Sequence, residues 1–389
     1  MISENGIWAI ARREFRRICS SKICIWGMMV VPLISMLILT YMMHDGLPNK
    51  IPIAVVDMDN TTTSRALIRQ LDAFPKTDIK FKSLSFREAR EKMERAEVYA
   101  VLTIPKDFSR DAISGAQPKL VFYTNNAFLI SGSLLFQDLK TVCVLASASV
   151  GLKTAEAKGI TQGQIMPVLQ PIVVESHPLS NPYLNYSLYL NNVLLPGVLQ
   201  LVILLFTISS FGSEVKSGSG RMLVEMGNNS SIKIIIGKLL PYTFFYLILA
   251  LLFMSVLYGY NGFPMKNGFF PMFLNYVCLI VSSQALAIIL LGVFPNYRFA
   301  LSASSLLGIL GFSMSGVSFP VLSMNPMLQG LSNIFPIRHF FLVYVDQSLN
   351  GLSIGYSAYH YAAMLFFVFL SFFFYGRIKN FLFENKYEE

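Results

Sequence analysis

One apolar span stands alone near the start of this chain, at 23–43, and five more crowd together between 188 and 376. Roughly 140 residues of mixed polar and apolar sequence separate the two groups, a length typical of an independent domain. A run of about 20 apolar residues is long enough to cross a hydrocarbon core as a helix, so this spacing constrains the fold more than any motif does. It predicts a polytopic α-helical membrane protein with six transmembrane helices and an inserted extracytoplasmic α/β domain at 44–187.

Charge placement sharpens the spans. Only 14% of the 389 residues are charged and 54% are hydrophobic, with a mean hydropathy of +0.53. A soluble domain carries about a quarter charged residues. Between Glu175 and Arg377 the charges are confined to Glu214, Lys216, Arg221, Glu225, Lys233, Lys238, Lys266, Arg298, Arg338 and Asp346. Charge at bilayer depth is costly, so these residues mark loops. The clean runs between them predict spans at 188–211, 239–258, 269–294, 299–319 and 356–375, joining the one at 23–43.

Basic residues set the orientation. Arg12, Arg13, Arg16, Arg17 and Lys22 precede the first span, Lys216, Arg221, Lys233 and Lys238 follow the second, and Arg377, Lys379 and Lys386 follow the last. The positive-inside rule puts all three clusters and both termini in the cytoplasm. The net charge of +9 therefore reflects a lipid bilayer rather than nucleic acid. Segment 128–150 challenges this count because it is fairly apolar, but Gln137, Asp138 and Lys140 interrupt it. As a span it would place the basic loop outside, so it reads as a long helix of the inserted domain. No Ala-x-Ala-like site follows the first apolar run, which predicts a retained anchor rather than a cleaved signal. Of Cys19, Cys24, Cys143 and Cys278, only Cys143 falls in the inserted domain, so packing rather than a disulfide must hold it.

Residues 7–20 are amphipathic, with Ile7, Ala11, Phe15 and Ile18 on one side and four arginines on the other. That pattern suits a helix lying in the headgroup layer with its arginines toward anionic lipid. In the inserted domain, 51–56, 99–104 and 120–123 read as strands, and 63–71 and 85–97 as helices. Ser85 and Glu88 have capping-box spacing. Segment 171–175 would lead back to the membrane. Segment 320–355 is too apolar for an ordinary loop yet is broken by Pro320, Pro326 and Pro336, which fits short re-entrant helices or amphipathic helices lying flat.

The chemistry that is missing excludes function classes. Gly237-Lys238 is followed by Leu239, and Ile232 stands where a phosphate-binding loop needs glycine, so the chain holds no ATP by that route. His44, His177, His339 and His360 lack zinc-ligand spacing, and no nucleophile elbow occurs. The spans carry no carboxylate expected of a proton-coupled carrier. This predicts a protein that is not an enzyme and binds no cofactor or metal. Asn191, Asn192 and Gln200 on the second span, beside Pro196-Gly197, either bond across helices or line a substrate pathway. Ser304, Gly308, Gly311 and Ser315 form a small face suited to close helix packing.

Several residue groups, in order along the whole chain, carry a resemblance. They are Arg12-Arg13-Glu14-Phe15-Arg16, Ile53 through Asp57 to Thr61, Ser64 and Arg65, and Ala100 through Pro105, Asp107 and Phe108 to Arg110. Further on come Asn192 to Pro196-Gly197, Glu214 to Gly218-Ser219, Gly237-Lys238 to Pro241-Tyr242, Ser315-Gly316 to Phe319-Pro320, and Phe335-Pro336 to His339-Phe340. The chain resembles ABC-transporter permeases of the type-2 export class, in the branch with a large periplasmic domain after the first helix. The resemblance implies a homodimer or heterodimer with a similar permease in a bacterial inner membrane. It implies a separate cytoplasmic ABC ATPase that carries ATP and Mg, and a periplasmic adaptor protein that meets the inserted domain. It assigns ATPase coupling to 7–20 and to the loop 213–232. The contact residues are then Arg12, Arg13, Phe15, Arg16, Glu214, Gly218, Arg221, Met222, Leu223 and Glu225, with Lys216 and Ser219 departing from the usual loop pattern. The expected activity is export of an amphipathic or hydrophobic substrate. The rival is a mechanotransmission subunit that moves its periplasmic domain without transporting anything.

Overall fold

The computed structural model describes residues 6–114, 116–157, 159, 180–181 and 185–384. The return segment 171–175, Lys158, His177 and the tail with Lys386 lie outside the described residues. The chain divides into two compact units: Leu47–His177, and Met1–Gly46 together with Pro178–Glu389.

The larger unit is helical. Helix α1 (Ile7–Ser20) ends at Ser21, whose extended backbone turns the chain and whose hydroxyl accepts the Cys24 N–H that opens α2 (Lys22–Met42). In the smaller unit, β1 (Ile51–Asp57), α3 (Thr62–Asp72), β2 (Thr77–Ser83), α4 (Phe86–Glu94), β3 (Ala100–Ile104), α5 (Phe108–Ser114), β4 (Val121–Thr124) and α6 (Leu129–Ala157) follow one another. The sheet order is β2-β1-β3-β4, with β1 parallel to both neighbours and β4 antiparallel at the edge. Alternation along β1 and β3 divides the core. Ile51, Ile53, Val55, Ala100 and Leu102 face Leu67, Ile68 and Leu71 of α3, while Ala54, Val56 and Val101 face Ala89 of α4. Parallel strands joined through helices cover both faces in this way.

Two local expectations change. Strand β2 was not anticipated. Ser85 opens α4 without a side-chain cap, because Glu88 instead accepts the Ser83 hydroxyl at 2.5 Å. Helix α6 buries Leu135, Leu139, Val142 and Ala146 against the sheet core, and its Asp138 lies 3.5 Å from Lys76.

The helical unit continues through α7 (Tyr186–Lys216), α8 (Gly220–Met226), α9 (Ser231–Tyr260), α10 (Phe269–Val293) and α11 (Tyr297–Met314). It then runs through α12 (Pro326–Ser332), α13 (Pro336–Tyr344), α14 (Ala358–Ser371) and α15 (Tyr375–Glu384). Among the described residues six stretches are long and apolar enough to cross a membrane: Lys22–Met42, Leu129–Leu152, Tyr186–Lys216, Ser231–Tyr260, Phe269–Val293 and Ile354–Phe383. Five match expected spans. The sixth is α6, and the expected span at 299–319 is absent from the set because Arg298 and four serines lower the hydropathy of α11.

Small residues let α11 close on α7. A Cβ on Gly308 would stand 2.6 Å from Leu201, and one on Gly212 would strike the Tyr297 ring. Segment 320–355 has two characters. Ile337, Phe340, Val343 and Tyr344 of α13 are buried in the helical core, and Asn275 donates to the Phe340 carbonyl at 3.0 Å. Leu322 and Met327, ahead of α13, are largely exposed.

Candidate coupling site

At its basic end the helical unit brings together five charged side chains from three distant parts of the sequence, three of them buried and two, Arg13 and Arg17, half-buried. Glu14 projects from α1, Glu214 from the end of α7 and Lys238 from α9, and all three are 0% exposed. The Lys238 ammonium donates to Glu14 Oε1 at 2.7 Å and to Glu214 Oε1 at 2.9 Å. Arg13 reaches Glu214 Oε2 at 2.7 Å and Arg17 reaches Oε1 at 2.6 Å. The Ser219 hydroxyl also donates to Glu214, and Arg17 donates to the Ser213 hydroxyl. Both Glu214 oxygens are thus saturated, as a buried carboxylate requires. Glu14 Oε2 is buried with no hydrogen-bond partner among the described residues.

Sequence places these groups through helix geometry. Positions 13, 14 and 17 fall on one side of α1 beside Ile10 and Ile18. Gly237 allows α1 to approach α9 there: a Cβ at 237 would stand 2.9 Å from both Ile10 Cβ and the Ile7 carbonyl oxygen. The neighbouring Lys238 therefore enters the α1 crossing. This corrects the lipid-facing reading of α1. Arg13 and Arg17 turn inward to Glu214 instead of toward headgroups, and Glu14 is buried with Ile10, Ala11 and Ile18. Phe15 stays half exposed and stacks on Phe245 at 5.6 Å.

Helix α8 sits beside this cluster. Gly218, with φ +69°, supplies the turn between Glu214 and α8. Leu223 and Val224 share a buried apolar cluster with Ile378, Phe381 and Leu382 of α15. The Gly6 N–H donates to the Met226 carbonyl at 2.9 Å, so the start of α1 is tied to the end of α8. Arg221, lying over the Phe383 ring at 5.3 Å, is exposed along with Met222 and Glu225. On α1, Trp8, Arg12 and Arg16 are exposed.

The anticipated contact set therefore splits. Arg12, Arg16, Arg221, Met222 and Glu225 are exposed. Glu214 and Leu223 are not: their side chains are fully buried, one by ion pairing and one by packing. Glu14 and Lys238 were missed as site residues, although both stood inside recognised motifs. Asn191, Asn192 and Gln200 are all buried elsewhere in the helical core. Asn191 bonds to Ser187 at 2.9 Å, and Asn192 accepts from Tyr258 of α9 at 3.0 Å. Gln200 faces the Gly311 position of α11.

Apolar helices long enough to cross a membrane, with basic connections at one end, define a multi-pass membrane protein. The model of the family described as "ABC-2 family transporter protein" matches residues 22–376, and the chain belongs to this family. ABC-2 permeases are transmembrane subunits of ABC transporters and work with an ABC ATPase. The chain is also similar to the linearmycin resistance permease protein LnrN of Bacillus subtilis (strain 168), 32% identical over 89 residues. That match spans 22% of this chain and 23% of the relative, under a quarter of its length. No solved structure is significantly similar to the chain.

Proposed function

We propose that the chain is the permease subunit of an ATP-driven exporter, in the ABC-2 branch with a large periplasmic domain. Its basic end and both termini face the cytoplasm of a bacterial inner membrane, and the unit at Leu47–His177 is periplasmic. It acts as a dimer, moves an amphipathic or hydrophobic substrate, and meets a periplasmic adaptor through the inserted domain. The packing of α6 onto the sheet supports counting it with that domain. The resistance permease among its relatives supports an outward direction of transport.

The buried ion cluster carries this reading. A partner that displaces the exposed face of α1 and α8 moves groups bonded to Glu214 and Lys238. Those residues stand on α7 and α9, which lead directly into the apolar spans. Separating buried charge partners is costly, so a displacement of α1 is passed to α7 and α9. The ATPase would hold the ATP and Mg, and this chain's residues would pass on the displacement.

Met222→Asp combined with Glu225→Lys tests the docking face. Both side chains are exposed, so the fold should keep its melting temperature while copurification of the ATPase falls at least ten-fold. Full copurification with unchanged substrate-stimulated ATP hydrolysis would remove α8 from the interface.

A further inference from the structure

The inserted domain holds a cleft of about 580 Å³, separate from the coupling cluster. It opens near the carboxyl ends of β1 and β2, the side of an α/β sheet where ligands usually bind. Its volume lies inside the range of about 300–1,000 Å³ common to small-molecule pockets.

The lining is cationic on one side and apolar on the other. Arg65 and Arg69 stand one helical turn apart on α3, and Lys82 comes from the end of β2. Among the described residues none of the three forms an ion pair. Arg65 donates Nε to the Thr61 carbonyl at 3.1 Å. One lining carboxylate, Asp57, opposes them and offsets one of the three positive charges, and three of its roughly four lone-pair sites are already engaged. Oδ1 accepts the N–H groups of Asp59 and Asn60 at 3.1 and 3.0 Å, and Oδ2 accepts the Ser64 hydroxyl at 2.8 Å. Val55 and Ile68 supply the buried apolar floor, and Leu84 stands 74% exposed at the rim. Three neighbouring cations repel one another, and an anion among them relieves that repulsion. An exposed leucine beside them gains only if the anion brings an apolar body.

We propose that this cleft binds an amphipathic anion. Arg65, Arg69 and Lys82 hold its carboxylate, sulfate or phosphate head, and Val55, Ile68 and Leu84 take its short apolar body. The assignment is independent of ATPase coupling and of the exporter reading.

Photolabelling of the full chain in zwitterionic nanodiscs with a diazirine analogue of octanoate tests it. Cross-links should map to Thr62–Asp72 or Thr77–Ser83. Octyl sulfate should compete, and octanol or inorganic phosphate at the same concentration should not. Arg69→Glu with Lys82→Glu should cut labelling about ten-fold, the scale of a lost charged hydrogen bond. Arg69→Lys with Lys82→Arg should keep it, which separates lost charge from lost fold. Arg90→Glu on α4, which is not a lining residue and is paired with Glu94, should change nothing. Equal competition by octanol would reduce the cleft to an apolar surface, and equal competition by phosphate to a simple anion site. Unchanged labelling in the charge-reversed variant would overturn the assignment outright. Adding phosphatidylglycerol to the disc separates sources: displacement of the probe supports a bilayer lipid as occupant, and retained labelling supports a free amphiphile.

Discussion

At the scale of single residues, Lys238 is the keystone of the ion cluster. Lys238→Met would leave Glu14 and Glu214 buried with one fewer cation, and removing one partner of a buried pair costs about 3–5 kcal/mol. The expected result is a large drop in the unfolding temperature of the purified protein. Adding Glu14→Gln should restore part of it, because the two changes remove both ends of one interaction. Additive losses would mean that Glu14 and Lys238 stabilise the fold separately. Gly237→Ala probes the same place sterically. Its methyl would meet Ile10 and the Ile7 carbonyl at 2.9 Å, so α1 must shift at a cost of about 1–3 kcal/mol. ATP hydrolysis by the partner should then lose its dependence on substrate. Glu214 was conspicuous in the sequence because it follows a charge-free span. Glu14 and Lys238 were not, since a charge among arginines or just inside a span looks like ordinary topogenic signal. Their pairing spans more than 200 positions, and helical periodicity carries no information at that range.

At the scale of elements, the inserted domain shows what pattern reading reaches. Its central strands β1 and β3 are continuous apolar runs, and the sequence marks them clearly. Strand β2 escaped notice because it is an edge strand interrupted by exposed lysines. Ile79 and Phe81 alternating with Lys80 and Lys82 was the available signal. The turn after β1 ties two elements together through Asp59, which accepts hydroxyls of Thr61 and Ser109 at 2.6 Å each. Slight burial would raise the Asp59 pKa, but the bonds from Ser109 and Thr61 prevail and hold it below the ordinary carboxylate value. A lowered carboxyl pKa contributes stability above its unfolded value, and that contribution fades as pH falls through the folded one. Asp59→Ala should therefore cost about 1 kcal/mol at neutral pH. The protease resistance of α5 should fall, with less further loss in acid than the parent protein shows. Equal acid sensitivity in both would place the responsible group elsewhere.

At the scale of the whole molecule, the legible part was the division into a lone span, an insert and a helical group, because hydropathy and charge report it directly. The number of crossings was less legible. By length and composition α6 qualifies as a span and α11 does not, so topology rests on where each one packs. Single cysteines at Ser114, Glu156 and Asn229 in a cysteine-free background check the proposed orientation. An impermeant thiol reagent on intact spheroplasts should label the first two and spare the third. Protection of Glu156 with labelling of Asn229 would show that α6 crosses. The ion cluster also bears on how such chains are recombined. Glu14 must meet Glu214 and Lys238, so any single crossover between positions 15 and 213 that joins two diverged relatives splits the cluster across two parents. A chimera that swaps only 47–177 keeps it intact, whereas one that exchanges the front half inherits mismatched charges. Shuffled libraries of this chain should therefore yield insert replacements far more readily than N-terminal replacements.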